Sequence, residues 1–272
     1  MLLAQHVLAA WFLKRWPAEN GPYRVDIDGE PLLTRAGRLA ESVKMWRIML
    51  PLCRACNGEL GRLFEKPAKV PVRRLLDQTL PVTSAADVLA VARWVGKTFA
   101  LAAHPASSHT AYASRREPEK KNVNGPWSPY PVMVLEAIRR GDLPDDSSLW
   151  VTVLCEGGIA DPDFDRVLLR HTYRRDGLGG TGWSRTSGYN IADTRCMAMF
   201  QFVHHPLHDF IHPFEPGGLV TRLWPNPPAR LDLSSMPVLA LDTRLSSVFV
   251  SSGFSHGLAP GKRSSGEGLP RF

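Results

Sequence analysis

The stretch from Thr83 to Phe99 constrains the fold of this chain more than any other. Thr83-Ser84-Ala85-Ala86-Asp87 offers a hydroxyl cap with an acid three residues on, the signature of a helix start. Val88, Val91, Ala92, Val95 and Phe99 then recur with a period of 3.6. A helix with one continuous apolar stripe has to bury it against other elements. The composition supplies the material for such a core. Of 272 residues, 44% are apolar and 22% charged, which excludes a fibrous or fully disordered protein. The length predicts one large domain or two modest ones.

The elements around this helix predict an α+β chain. Residues 1–16 carry Val7, Trp11, Phe12, Arg15 and Trp16 at helical spacing, and Pro17 ends the pattern. Tyr23 to Ile27 alternates, and Asp28-Gly29 is a hairpin signal. A second alternating run, Val43 to Leu50, leads into Pro51-Leu52-Cys53. From Cys56 the pattern is helical, with Leu60, Leu63 and Phe64 on one face; Pro67 predicts a break before a second helix over Val70–Leu76. A short helix is expected over Val132–Arg140. Strands are expected over Leu149–Cys155, Val167–Tyr173, Met197–Val203, Leu219–Trp224 and Val238–Leu241. Two stretches, 105–129 and 251–272, are polar or Gly/Ser-rich and predict a mobile loop and a disordered tail. The resulting division is a module at 1–80, a helical segment at 81–142, a β-rich region at 143–250 and the tail.

Lys and Arg number 33 against 26 Asp and Glu, a formal charge of +7, which permits a polyanionic partner. No segment offers the roughly 20 apolar residues that a spanning helix needs. The apolar start, Met1 to Leu13, is closed by Lys14-Arg15, the wrong polarity for a signal peptide. The expectation is a cytoplasmic protein without a membrane partner, in which paired cysteines bind metal more often than they form bridges.

The sharpest chemical feature is Cys53-Arg54-Ala55-Cys56-Asn57 at a strand-to-helix junction. Two thiolates at this spacing can hold one zinc, because the turn aims both sulfurs at one centre. The pair supplies half of a four-ligand site, and the other reading is two small buried hydrophobes at a helix start. Between residues 53 and 77 stand Arg54, Arg62, Lys66, Lys69, Arg73 and Arg74 against Glu59, Glu65 and Asp77. This excess suits contact with phosphates, or it is a solvated helix face.

Several of these segments together resemble a known family. Gln5-His6-Val7, Trp11-Phe12-Leu13, Cys53-Arg54-Ala55-Cys56-Asn57, Phe64-Glu65-Lys66-Pro67 and Ala92-Arg93-Trp94-Val95-Gly96-Lys97-Thr98 carry the likeness. They look like a family of uncharacterised actinobacterial proteins with an N-terminal treble-clef module similar to the HNH (His-Me finger) endonucleases. The resemblance covers roughly residues 1–104. It implies His6 as general base for hydrolysis of a phosphodiester. It implies Asn57 as the last ligand of a catalytic Mg or Mn ion, and Cys53 and Cys56 as half of a structural zinc site. The pattern has an acid before the base where this chain has Gln5, and a cysteine pair upstream of it, where only five residues precede His6. Taken singly, His6 also reads as a core histidine and Asn57 as a helix-start residue.

Other clusters carry less. His204-His205, His208, Asp209, His212 and Glu215 lie within twelve residues, but the spacing fits no metal-enzyme signature and reads as a polar loop with aromatic anchors. Cys155 and Cys196 fall in or beside strands and read as buried and inert. Arg174 to Gly182 is glycine-rich without the Lys-Ser/Thr of a phosphate loop, and reads as a hairpin or a flexible turn. Two classes of function follow: a DNA-binding, HNH-like module with metal-dependent cleavage, or a non-catalytic interaction protein with a vestigial zinc knuckle.

Overall fold

The computed structural model describes residues 2–14, 49–104, 132–155, 169–175, 181–192, 196–205 and 218–240, with His212, Glu215 and short stretches between 23 and 42. The expected loop at 105–129 and the tail at 251–272 lie outside the described residues. The architecture is α+β. Strand β1 (Leu2–His6) is followed by the single turn α1 (Ala10–Leu13). Four two-residue strands follow: β2 (Tyr23–Arg24), β3 (Asp26–Ile27), β4 (Glu30–Pro31) and β5 (Glu41–Ser42). Ile27 stands opposite Glu30, the register that Asp28-Gly29 predicts.

The expected helix over residues 1–16 is corrected. Residues 2–6 are extended because they pair antiparallel with β6 (Met49–Cys53), Leu2 opposite Cys53 and His6 opposite Met49. Among the described residues of this stretch only Ala10–Leu13 is helical, so long-range pairing overrides the local spacing of Val7, Trp11 and Phe12. Among the described residues β6 pairs with β1 alone, an edge position of the kind in which Pro51 is tolerated.

The expected break at Pro67 is corrected as well. Helix α2 (Arg54–Leu60), a π turn (Gly61–Glu65) and α3 (Lys66–Leu76) run on without interruption. Proline removes an i→i−4 hydrogen bond and crowds the carbonyl behind it. The π turn widens the helix just ahead of Pro67, with the Lys66 N–H donating to the Gly61 carbonyl, and so absorbs the misfit. The buried side of α3 carries Ala68, Pro71, Val72, Leu75 and Leu76.

Helix α4 (Ala85–Ala103) starts where its cap predicts: the Ser84 hydroxyl accepts from the Asp87 N–H at 3.1 Å. It is buried almost all round, on Trp94, Thr98 and Ala100 as well as on the apolar stripe. Gly96 permits a close approach, since a Cβ there would meet the Leu143 side chain at 2.5 Å. Helix α5 (Val132–Arg140) matches the sequence expectation.

The second half builds one sheet from β7 (Ser147–Cys155), β8 (Leu169–Arg175), β9 (Thr181–Asn190), β10 (Cys196–His204), β11 (Thr221–Trp224) and β12 (Val238–Ala240). Its order is β11-β7-β10-β9-β8. The first part of the outer edge of β7 is paired with β11, antiparallel, and the second part with β12, parallel. β8 and β9 form the hairpin expected around the glycine-rich run, with Arg175 opposite Thr181. The sequence signals missed β9, whose Gly-, Ser- and Thr-rich residues look like a loop.

One face of this sheet presents Leu149, Val151 and Val153 of β7 opposite Phe202, Phe200 and Ala198 of β10, and these join α1, α3, α4 and α5 in a single core. At its centre the Phe12 ring lies 4.8 Å from Trp94 and 5.1 Å from Tyr189. The three expected regions therefore share one interior. Phe12 is fully buried, so Phe12→Ala is expected to lower stability by about 3–5 kcal/mol. Urea denaturation checks this; a loss below about 1 kcal/mol would mean that the N-terminal segment does not dock on α4.

Candidate functional site

Strand β6 delivers the cysteine pair directly to the start of α2. Cys53 is the N-cap residue, and its sulfur accepts the Cys56 N–H at 3.1 Å. The two Sγ atoms share a hydrogen bond at 2.7 Å. That bond is the main reason the Cys53 thiol is held below its ordinary range and the Cys56 thiol is pushed above it. Cys53 is half-exposed and Cys56 exposed, so the pair is not two buried hydrophobes. Among the described residues no group of three or more His, Cys, Asp or Glu could hold a metal ion. The donor set present is two thiols, half of what a structural zinc requires.

Asn57 is the fourth residue of α2 and half-buried; the cap role belongs to Cys53. His6, also half-buried, lies at the far end of the β1–β6 ladder, about 13 Å of strand from the level of Cys53. Leu60, at the end of α2, packs against the buried cluster of Val7, Leu50, Leu101 and Ala102. A hard divalent cation asks for several oxygen ligands, carboxylates foremost. Asn57 offers one amide oxygen, and the residue before His6 is Gln5, also an amide. These donors do not fit Mg or Mn, and no catalytic step is derived through either.

The basic residues are placed by the uninterrupted helix. Arg62, Lys66, Lys69 and Arg73 are exposed and follow the i, i+4, i+7, i+11 rhythm of one helix face. This face lies opposite Ala68, Val72 and Leu75, which are in the core. Arg54 is exposed at the helix start. Arg74 is half-buried and donates to the Pro81 carbonyl at 3.3 Å, so it ties α3 to the segment that follows.

Three segments distant in sequence, those of Val7, Glu65 and Lys97, meet at one point inside the protein. The Lys97 ammonium, 1% exposed, donates to the Val7 carbonyl and to Glu65 Oε1, both at 3.0 Å. Burial pulls the Lys97 pKa down, and the Glu65 charge pulls it back up. Arg93 lies over the Phe64 ring at 5.5 Å. A lysine within an all-round apolar helix was the signal for this buried pair.

A second polar group covers the opposite face of the sheet. Trp150 Nε1 donates to Glu215 Oε2 at 3.0 Å, and Arg222 pairs with the same carboxylate at 2.7 Å. His212 Nε2 meets Gln201 Oε1 at 2.8 Å, and Ser148 Oγ meets His205 Nε2 at 3.0 Å. His204, His205 and His212 are all buried, so the polar-loop expectation is corrected for them: His205 and His212 meet Ser148 and Gln201 on the polar sheet face, and His204, on the Phe200–Phe202 side of β10, faces Asp146 at 3.3 Å. His208 and Asp209 lie outside the described residues. Cys155 and Cys196 are not inert either; they are half-buried, stand opposite each other on β7 and β10, and form a disulfide.

No protein-family model, curated protein or solved structure matches this chain. No described helix is long and apolar enough to cross a membrane.

Removing one partner of a buried ion pair strands the other charge, whereas replacing both is often neutral. Glu65→Gln is therefore expected to cost about 3 kcal/mol, and the double variant Glu65→Leu/Lys97→Met to stay within about 1 kcal/mol of the parent. Denaturant titration separates the two; equal losses would show that the pair acts through packing alone.

Burial pushes His212 from 6.5 down to about 4. Between these values the unfolded chain binds the proton and the folded one does not. The contribution of His212 is thus complete above pH 6.5 and falls as the pH drops toward 4. The loss expected by pH 4 is about 3 kcal/mol. His212→Gln should flatten this part of the stability–pH curve, and an unchanged curve would overturn the assignment.

Proposed function

We propose that this chain binds nucleic acid, with duplex DNA as partner, through the exposed basic face of residues 54–76. The observation that carries the reading is the alignment of Arg62, Lys66, Lys69 and Arg73 along one exposed side of a continuous helix. They spread over about 16 Å of helix, enough to meet several phosphates. Two of the three nearby acids do not neutralise the face, and exposed Glu59 stands one turn before Arg62 at its end. Glu65 is turned to Lys97, and Asp77 meets Arg73 at 3.6 Å in an exposed pair, which holds weakly. Val70, 66% exposed beside this row, offers an apolar contact of the kind base methyl groups accept.

The resemblance to HNH-like treble-clef modules belongs to the same reading, and a two-stranded ladder running directly into a helix supports it. Hydrolysis is not part of the proposal, because the oxygen donors near His6 and Asn57 do not suit a hard cation. The reading keeps the DNA binding of the first class of function and leaves out its cleavage step.

Fluorescence anisotropy with a labelled duplex, titrated across salt, tests the proposal. Four phosphate contacts give a slope of about −3.6 in log K against log salt. Lys66→Ala or Lys69→Ala should each reduce the slope by about 1 without changing sequence preference. The triple reversal Lys66→Glu/Lys69→Glu/Arg73→Glu should weaken binding about 100-fold at low salt. Unchanged affinity in the triple variant would remove this face from the interface.

A further inference from the structure

We propose that Cys53 and Cys56 form a redox-active dithiol that exchanges with disulfides. The inference does not rest on the DNA-binding reading. It starts from the contact between the two sulfurs. Cys53 Sγ and Cys56 Sγ are direct, hydrogen-bonded neighbours across the first turn of α2, and a bonded pair stands about 2.05 Å apart. The pair is therefore arranged for a sulfur–sulfur bond to form with little movement.

Three further observations agree. The pair is open to solvent, with Cys56 exposed and Cys53 half-exposed, so a second molecule can reach it. Cys53 Sγ accepts the Cys56 N–H at 3.1 Å, a hydrogen bond that favours a thiolate at this position. Finally, the chain has four cysteines, and Cys155 and Cys196 are already joined to each other. Within the chain, the resolving partner for Cys53 is Cys56.

The reaction balances as an exchange. The Cys53 thiolate attacks one sulfur of a substrate disulfide, and the bond between the two substrate sulfurs breaks. One substrate thiolate leaves and takes a proton from water. The Cys56 thiol then loses its proton, and its sulfur attacks Cys53, displacing the second substrate thiolate, which is protonated in turn. The substrate disulfide gains two electrons and two protons to become two thiols. The chain loses the same and gains the Cys53–Cys56 bond.

The test uses the full-length protein, reduced and then equilibrated in glutathione buffers of rising oxidised fraction. Arg54 lies between the two cysteines, so trypsin separates them unless a disulfide holds the peptides together. The expected result is that the joined peptide appears reversibly with the oxidised fraction. Cys56→Ser should trap one glutathionyl group on Cys53. Cys53→Ser should react at least about tenfold more slowly, because the remaining thiol lacks the backbone N–H that Cys53 accepts. Serine is a good N-cap, so this variant keeps the helix start, which circular dichroism confirms. The inference is overturned if the joined peptide never forms at any glutathione ratio, or if both single variants react at the same rate. It is also overturned if the reduced protein takes up one zinc ion per chain that shields both thiols from alkylation, the outcome for a structural knuckle.

Discussion

The first half of the molecule is organised by one buried ammonium group. Removing a lysine charge from water costs several kcal/mol, and only well-placed acceptors offset it. Lys97 finds two, a carbonyl at the end of β1 and a carboxylate in the π turn, and they come from segments 90 and 32 residues away in sequence. Any arrangement that misplaces β1 or the π turn leaves the ammonium unpaired in the core. The interaction therefore selects a register more than it adds net stability, and the aromatic packing of Phe12 and Trp94 follows from the same docking.

That selection reaches the surface through the π turn. Glu65 points inward to Lys97 because it ends the widened turn, and Lys66 and Lys69, just beyond it, are left outside. If the helix broke at Pro67, Arg62 and Arg73 would belong to separate elements with no fixed relation. Continuity places them on one side and turns a local excess of basic residues into a surface with a direction. The same accommodation that hides an acid thus presents a row of bases.

The parts of this fold that were legible in the sequence are those in which local chemistry decides. The Ser84 cap, the Val88–Phe99 stripe, the Val132–Arg140 helix and the five expected later strands reappear close to where the patterns put them. The misread parts are those in which a distant partner decides. Leu2–His6 is a strand only because Met49–Cys53 lies beside it. Pro67 is tolerated only because the preceding turn widens, and His212 is buried because Gln201 and Trp150 receive it. At the candidate site, the spacing of Cys53 and Cys56 announced the pair, and the exposed rhythm from Arg62 to Arg73 was implicit once the helix was known to be continuous. The inward turn of Glu65 was not visible, because nothing in its neighbourhood distinguishes it from a solvated acid.

The two cysteine pairs show how context sets the chemistry of one functional group. Cys155 and Cys196 are opposite each other in a ladder whose strands are hydrogen-bonded along nine paired positions, so the backbone holds the sulfurs together whatever their oxidation state. A bridge there joins strands that are already fixed. Cys53 and Cys56 are held by one helical turn at an exposed junction, and the link between them is a shared proton and a backbone N–H. Forming or breaking a bond at that place leaves β6 and α2 connected by the same backbone. Thiol chemistry at the second pair is therefore separable from the integrity of the core, the physical condition under which a pair can cycle.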